Sequence, residues 1–408
     1  IVTASCKSED KKTMDFKTIT DNYFKEKNAL NPLDATQNGQ SEFNDKLIFE
    51  MTDSYRHHRK EIYDNVLEDL KSVDYNTLSE EEKNSFDIIK WEADIELDLL
   101  KQNANLIPIH QFWGTHLTMG QFASAESAQP FKTEKDYTDF LKRMDLYSVW
   151  IDSAIVYMKK GISEKVVLPK VLAEKVVPQF EALITSKLED NLFYSSIKKF
   201  PTEFSAAQKS DLSKKYALVI TDKLEPQFQK MVKFLNEEYI PATRTTSGIG
   251  SNKGGNDLYK VYVKLWTTTT QTPEEIHQLG LSEVARIKME MEKVKEQVGF
   301  SGNIVDFFDY VRNKKELMPF SKPEEVIANF EKIHATIKPN VDKLFSLQPR
   351  TPFQIKRTEA FREKTASAEY NQGAADGSRP GTFYVPIPDV KKYNYYGDED
   401  LFLHEAIP

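Results

Sequence analysis

The chain has a single cysteine, Cys6, so no disulfide can form within it. It has no apolar run near the ~20 residues that a helix needs to cross a bilayer, so no segment reads as membrane-spanning. Lys and Arg (55) are outnumbered by Asp and Glu (63), the formal net charge is -8, and the basic residues form no long stripe. Nucleic-acid binding rests on clustered Lys and Arg, so no nucleic-acid partner is expected. Histidine is scarce, at seven. His57, His58 and His110 lack a metal-like cluster of neighbours at turn spacing and read as surface or core residues. His277 and His334 fall inside helical patterns and read as structural. Glycine is also modest, at 15, and sits mostly late in the chain.

What is present suits a soluble globular protein: 408 residues, 39% hydrophobic and 29% charged, enough for one large domain or two ordinary ones. The 25 Phe and 18 Tyr suit a large core and a peptide or sugar cleft equally. At the start, Ile1-Val2-Thr3-Ala4-Ser5-Cys6 reads like the tail of a secretory signal, small residues and then Cys. The charged stretch Lys7 to Lys12 after it reads as disordered. This is similar to a bacterial lipoprotein processing site with Cys6 as the lipidated residue; a frayed terminus with a chance Cys is the other reading. One lipid would anchor the protein to a membrane without spanning it.

From Phe16 to Tyr239 the text is helical. Phe16, Ile19, Tyr23 and Phe24 recur at helix spacing, and Asn31-Pro32-Leu33 breaks the pattern. Phe43, Leu47, Ile48 and Met51 predict another helix. Ser79 to Glu82 is a capping box before the apolar face of Phe86, Ile89, Ala93, Leu97 and Leu100. The aromatic, amide-rich stretch from Gln111 to Phe122 could line a cleft; a buried connection is the reading preferred. Thr133 caps a long amphipathic helix through Phe140, Met144, Tyr147, Ile151 and Met158, ending near Gly161. Val166–Leu183 and Leu212–Leu235 predict two more, with Pro169 and Pro178 marking starts or kinks.

The texture changes at Tyr239-Ile240-Pro241, and Ala242 to Asp257 carries four glycines among Ser, Thr and Asn. The domain boundary is placed there: a tail over 1–15, a helical region over 16–240, and a helical and short-strand region over 241–408. The glycines have no Gly-Lys-Ser/Thr ending, so no phosphate loop is expected. Leu258–Thr268 fits either a short strand or a helix. Thr272-Pro273-Glu274-Glu275 starts a long helix whose stripe of Ile276, Leu279, Val284, Ile287, Met291, Val294 and Val298 is expected in the core. Another helix runs from Ser321 to about Phe345. Arg350–Phe361 reads as strand and loop, Tyr370–Gly381 as a glycine-bearing loop, and Thr382–Pro386 as a strand. The fold class expected is mainly α, a multi-helix array with a few short strands. A sheet edge beside a metal helix could hold a substrate backbone by strand addition.

That helix would begin at the end of the chain. Leu401-Phe402-Leu403 leads into His404-Glu405, the way many zinc hydrolases open their metal helix. There the histidine binds the metal and the glutamate takes a proton from the metal-bound water. The usual second histidine would stand at 408, where the residue is Pro408. Taken alone, the dipeptide is more often an ordinary helix start.

Several stretches, in order, resemble a bacterial family known as domain of unknown function 885. They are Asn31-Pro32-Leu33, Tyr239-Ile240-Pro241, Gly254-Gly255, Thr267-Thr268-Thr269, Thr272 to Gly280, Gly377 to Val385 and His404 to Pro408. The resemblance implies an extended helical fold similar to zinc carboxypeptidases and oligopeptidases of the gluzincin kind. It implies His404 as a zinc ligand and Glu405 as the catalytic base. It further implies Tyr384 as an oxyanion donor, and Arg379 with Phe383 as substrate-binding groups. An Arg can grip a peptide carboxylate, and a Tyr can donate to a developing oxyanion. In that family the motif continues past its proline with Gly-His-His and later acidic residues. A histidine six residues on lies ~240° around a regular helix, so sharing one ion would take a helix bulged or kinked at Pro408. The expectation is a metal-dependent peptidase of the bacterial cell envelope, lipid-anchored, incomplete in these residues and acting on peptides. The alternative is a non-catalytic envelope lipoprotein that binds peptides or oligosaccharides.

Overall fold

The structure, a computed structural model, describes residues 14–358, 363, 366–374 and 377–407. Cys6, most of the expected tail and Pro408 lie outside the described residues. Helices with one small sheet make the fold mainly α, as expected. By their internal contacts the residues form two compact units: those up to Thr36 with Gln40–Pro273, and Gln37–Gly39 with Glu274 onward.

In the first unit, helix follows cap and period. α1 (Phe16–Leu30) starts at Asp15, whose side chain accepts from the Thr18 amide, and α2 (Pro32–Gln37) follows the break at Asn31. α3 (Asp53–Leu70) and α4 (Glu80–Leu100) pack with α1: Phe16, Ile19 and Tyr23 meet Tyr63, Val66, Leu70, Ile89 and Ala93. The Ser79–Glu82 capping box forms as read.

The helix predicted from Phe43 to Met51 does not form. Ser41–Phe43 is a single 3-10 turn, and the chain stays irregular until Thr52 caps α3. The cause is tertiary. Leu47 and Met51 are drawn into the main core, and the Arg143 guanidinium takes the carbonyls of Phe43 and Lys46 that a helix would have used itself.

α5 (Thr115–Ala123) precedes the central helix, α6 (Glu134–Glu164), which opens in a Thr133–Asp136 capping box. Its Tyr137, Phe140, Met144, Tyr147, Ile151, Ala154 and Met158 repeat at three and four residues and are all buried. α7 (Lys170–Glu181), α8 (Ala206–Val219) and α9 (Glu225–Phe234) complete this core. The run from Ala206 through the short α10 (Ile240–Ala242) contains two π turns, Ile220–Leu224 and Leu235–Tyr239. Pro226 and Pro241 have no N–H to give the Asp222 and Glu237 carbonyls, and these carbonyls lie inside the widened turns. α11 (Gly255–Thr267) settles the strand-or-helix alternative as helix. The Gln111–Phe122 stretch is buried only in its helical second half, at Thr115, His116, Met119 and Phe122; at its start Phe112 is 71% and Trp113 61% exposed. His116 fills the interior instead, its ring stacked on Phe180 at 5.4 Å.

The second unit holds α12 (Pro273–Gln297), α13 (Ile304–Asn313) and α14 (Pro323–Leu344), then β1 (Phe353–Arg357), β2 (Glu369–Asn371), β3 (Gly381–Val385) and α15 (Asp398–Ala406). The sheet order is β1-β3-β2, with β1 parallel and β2 antiparallel to β3. Its core joins Val326, Phe330 and Ile333 of α14, Phe383 and Val385 of β3, Ile387, and Phe402 and Ala406 of α15. The stripe on α12 expected in the core is not there: no residue of α12 is buried.

Candidate active site

β3 is the fixed centre of the region that carries the expected site residues. Phe353–Arg357 and Glu369–Asn371 pair with it on either side. β3 therefore has no open edge for a substrate strand; the outer strands are β1 and β2. The exit of β3 is pinned by an ion pair that the sequence did not announce. Arg357 donates from Nε and Nη2 to the two carboxylate oxygens of Glu363 at 2.7 and 2.8 Å. Glu363 also accepts from the Ile387 amide at 2.8 Å, and the adjoining Arg357 holds its carboxyl below the usual range.

The approach to β3 is wound tightly. The Ala374 amide donates to the Arg379 carbonyl at 2.9 Å, and Gly377 takes a φ of +76°, where a side chain would be strained. Gly381 is required by proximity, since a Cβ there would sit 1.9 Å from the Tyr370 hydroxyl. The guanidinium of Arg379 donates to the Gln37 carbonyl, in the short segment that belongs to the same unit. Phe383 is fully buried and packs edge-on against Phe330 at 5.2 Å and Phe402 at 5.8 Å. Its ring fixes β3 against α14 and α15 rather than facing solvent. Tyr384, next along, is half-buried.

α15 follows a Gly397 start and carries Asp398, Glu399 and Asp400 in its first turn, where the helix dipole favours negative charge. Asp398, Phe402 and Ala406, spaced by four, face inward. At 100° per residue, His404 then points outward, and Glu405 lies on the flank between the two faces. His404 is exposed and Glu405 half-buried, and neither side chain has a hydrogen-bond or ion-pair partner among the described residues. The buried acid here is Asp398, which receives the Tyr393 hydroxyl and the Asn329 amide, each at 2.9 Å. Burial pushes its carboxyl up to about 6. It opens into a polar hollow of about 470 Å³ shared with Lys332, Thr336 and Tyr395. Nothing in the motif reading pointed to Asp398; its i−4 relation to Phe402 was the available signal.

A catalytic zinc takes three protein ligands. Among the described residues no three His, Cys, Asp or Glu side chains gather closely enough to hold a metal ion. His404 is one donor, and the described residues do not complete a zinc site around it. What they do provide is a carboxylate and an imidazole on a helix that Phe402 holds against Phe383 of β3; Tyr384, the next residue of that strand, lies on the opposite face of the sheet.

Two solved structures share this fold. The "putative lipoprotein from Colwellia psychrerythraea" superposes with a TM-score of 0.83 at 19% identity, covering 97% of this chain and 72% of that one. The "putative lipoprotein of unknown function from Shewanella oneidensis" gives 0.66 at 15% identity, over 97% and 70%. Such identities speak for the fold alone. No curated protein matches the chain. No described helix is long and apolar enough to cross a membrane. The family described as "Bacterial protein of unknown function (DUF885)" matches residues 32–408, and the chain belongs to that family.

Proposed function

We propose that this protein is a peptide hydrolase of the bacterial cell envelope, held there by a lipid on Cys6, with a gluzincin-like centre at His404 and Glu405. One observation carries the reading. A histidine and a glutamate without partners among the described residues sit side by side on a helix whose other face is locked by Phe402 and Ala406 into the β3 core. Unpaired ionisable groups on a rigid support are what general-base chemistry needs.

In the proposed reaction Glu405 takes a proton from a water, whose oxygen adds to the peptide carbonyl carbon. The Tyr384 hydroxyl donates to the oxyanion that forms. The proton then passes to the leaving amine as the C–N bond breaks. Arg379 binds a substrate carboxylate, which favours cleavage near a free C-terminus. Zinc is proposed as the metal of this centre, with His404 as one ligand and the others outside the described residues. The two solved neighbours, both called lipoproteins, support the envelope location.

A second reading, an envelope protein that only binds peptides or oligosaccharides, is favoured by one feature of the first unit. His110 stacks on Trp113 at 4.6 Å, and Phe112 meets Trp113 edge-on at 5.8 Å, with Phe112 and Trp113 open to solvent. Such a platform takes flat rings or sugar faces. Incubating the full-length protein with a peptide panel and weighing the products separates the two readings. New C-termini would support hydrolysis. Peptides bound yet intact after long incubation, with binding lost in Trp113→Ala, would replace it with the second reading.

A further inference from the structure

Gln102 to Ala125 holds no Asp, Glu, Lys or Arg, in a chain that is 29% charged. Within this uncharged segment three rings come together ahead of α5. His110 stacks on Trp113 with 12° between the ring planes, and Phe112 meets Trp113 edge-on. Phe112 and Trp113 both face solvent. Exposed large apolar groups that stand together mark a contact site, whereas single ones are ordinary. The rings are also held in place before anything binds. Ile109, just before them, is buried in the main core. The Phe112 amide donates to His110 Nδ1 at 3.2 Å, and the Gln111 carbonyl accepts from Gln179 Nε2 of α7 at 2.7 Å. Gly114 takes a φ of +130° where the chain turns into α5. With Nδ1 accepting, the His110 proton sits on Nε2, and burial holds the ring below its ordinary pKa, so the stack is neutral at pH 7.

A segment without charge offers no counter-ion to a phosphate, a peptide carboxylate or an anionic lipid surface. It suits a neutral ligand with one flat apolar face and polar groups around its edge. We propose that the His110–Trp113 platform is a binding site for a neutral pyranose, one unit of an oligosaccharide whose equatorial hydroxyls leave its C–H face flat. The sugar lays that face on the open part of the indole, with His110 backing the ring and Phe112 at its flank. A sugar oxygen accepts from the indole Nε1–H of Trp113, which has no partner among the described residues. The buried Oε1 of Gln111, to which no described residue donates, receives a hydroxyl proton directly or through a water. The site rests on the second reading above, that these open rings bind a ligand, and not on the chemistry proposed for Glu405.

The test titrates the full-length protein, with no peptide present, against β-1,4-linked tetramers of glucose and of N-acetylglucosamine. Binding is read by calorimetry in wild type, Trp113→Ala, Trp113→Phe and His110→Ala. Wild type is expected to bind at least one tetramer, and Trp113→Ala to weaken that binding at least ~10-fold. Trp113→Phe should recover part of the loss, and His110→Ala, which leaves the indole unbacked, should weaken binding by a smaller factor. Trp113 is open to solvent, so its variants should keep the wild-type melting curve. Failure to bind either tetramer would overturn the inference, as would binding that Trp113→Ala leaves intact. Trp113-dependent binding of a peptide panel but of neither sugar would overturn it while keeping the second reading. Trp113-dependent binding of phosphatidylethanolamine–phosphatidylglycerol vesicles but of neither sugar would give the rings to a membrane surface and overturn it as well.

Discussion

Arg143 is fully buried, and among the described residues no carboxylate is a hydrogen-bond partner of it. Its guanidinium donates to the carbonyls of Lys46 (3.0 Å) and Phe43 (2.6 Å), to the Thr36 hydroxyl (3.0 Å) and to the Gln129 side chain. Burial pushes its ionisation down to about 10, against the opposing charges of Asp45 and Asp139 nearby. The group shapes an irregular segment by supplying donors at fixed angles. Arg143→Met should therefore strand those carbonyls and cost about 3 kcal/mol in urea unfolding. Arg143→Lys should recover little of it, because an ammonium cannot reproduce the fork. His116 gives a pH signature. It is buried, donates from Nε2 to the Gln179 side-chain oxygen at 3.3 Å, and burial pushes it down to about 4 from 6.5. Between those values the unfolded chain binds a proton that the folded chain refuses. Its contribution to stability is complete above pH 6.5 and is lost as pH falls toward 4, by about 3 kcal/mol. His116→Gln should flatten the stability profile of wild type over that window; an unchanged profile would show that His116 is protonated in place. Neither residue was legible in advance. A buried arginine and a buried histidine look like surface residues until partners distant in sequence, 63 positions from His116 and up to 107 from Arg143 among the bonds named, are in place.

At the scale of elements, the sequence was most legible where cap and period agree. The boxes at Ser79 and Thr133 both formed, and the α6 face read from Phe140 to Met158 is the main core. It was least legible where a distant group competes for the backbone, as over Phe43–Met51. On α12 the stripe was read correctly as apolar and wrongly as buried. A periodic pattern states that a face wants a partner and leaves open whether these residues supply it. α15 lies between these cases: its helical start was legible, but its inward face, Asp398–Phe402–Ala406, was overshadowed by the motif on its other side. Phe402 is the anchor of that face, in contact with Phe330, Phe353 and Phe383 at ring distances of 5.8–6.1 Å. Phe402→Ala should open a cavity there and destabilise the second unit by about 3–5 kcal/mol. Faster amide exchange along β3 would report the loss; undisturbed β3 exchange would mean that α15 is not needed to hold the strand.

For the whole molecule, the mainly α architecture was within reach of pattern reading, because most elements are helices with their own caps. The candidate site was legible only as types and order. His404, Glu405, Arg379 and Tyr384 were named from motif resemblance, and the sheet that separates Tyr384 from the α15 face could not be read there. β1 and β3 pair in parallel across 28 positions of sequence, which no local period encodes. The central claim is that Glu405 moves a proton in peptide hydrolysis. The direct measurement is peptide turnover by the full-length protein carrying Glu405→Gln, a change that keeps shape and removes the base, at equal metal content and with an unchanged melting curve. The account predicts a loss of on the order of 10²–10⁴-fold in kcat. Turnover equal to wild type in that variant would contradict it.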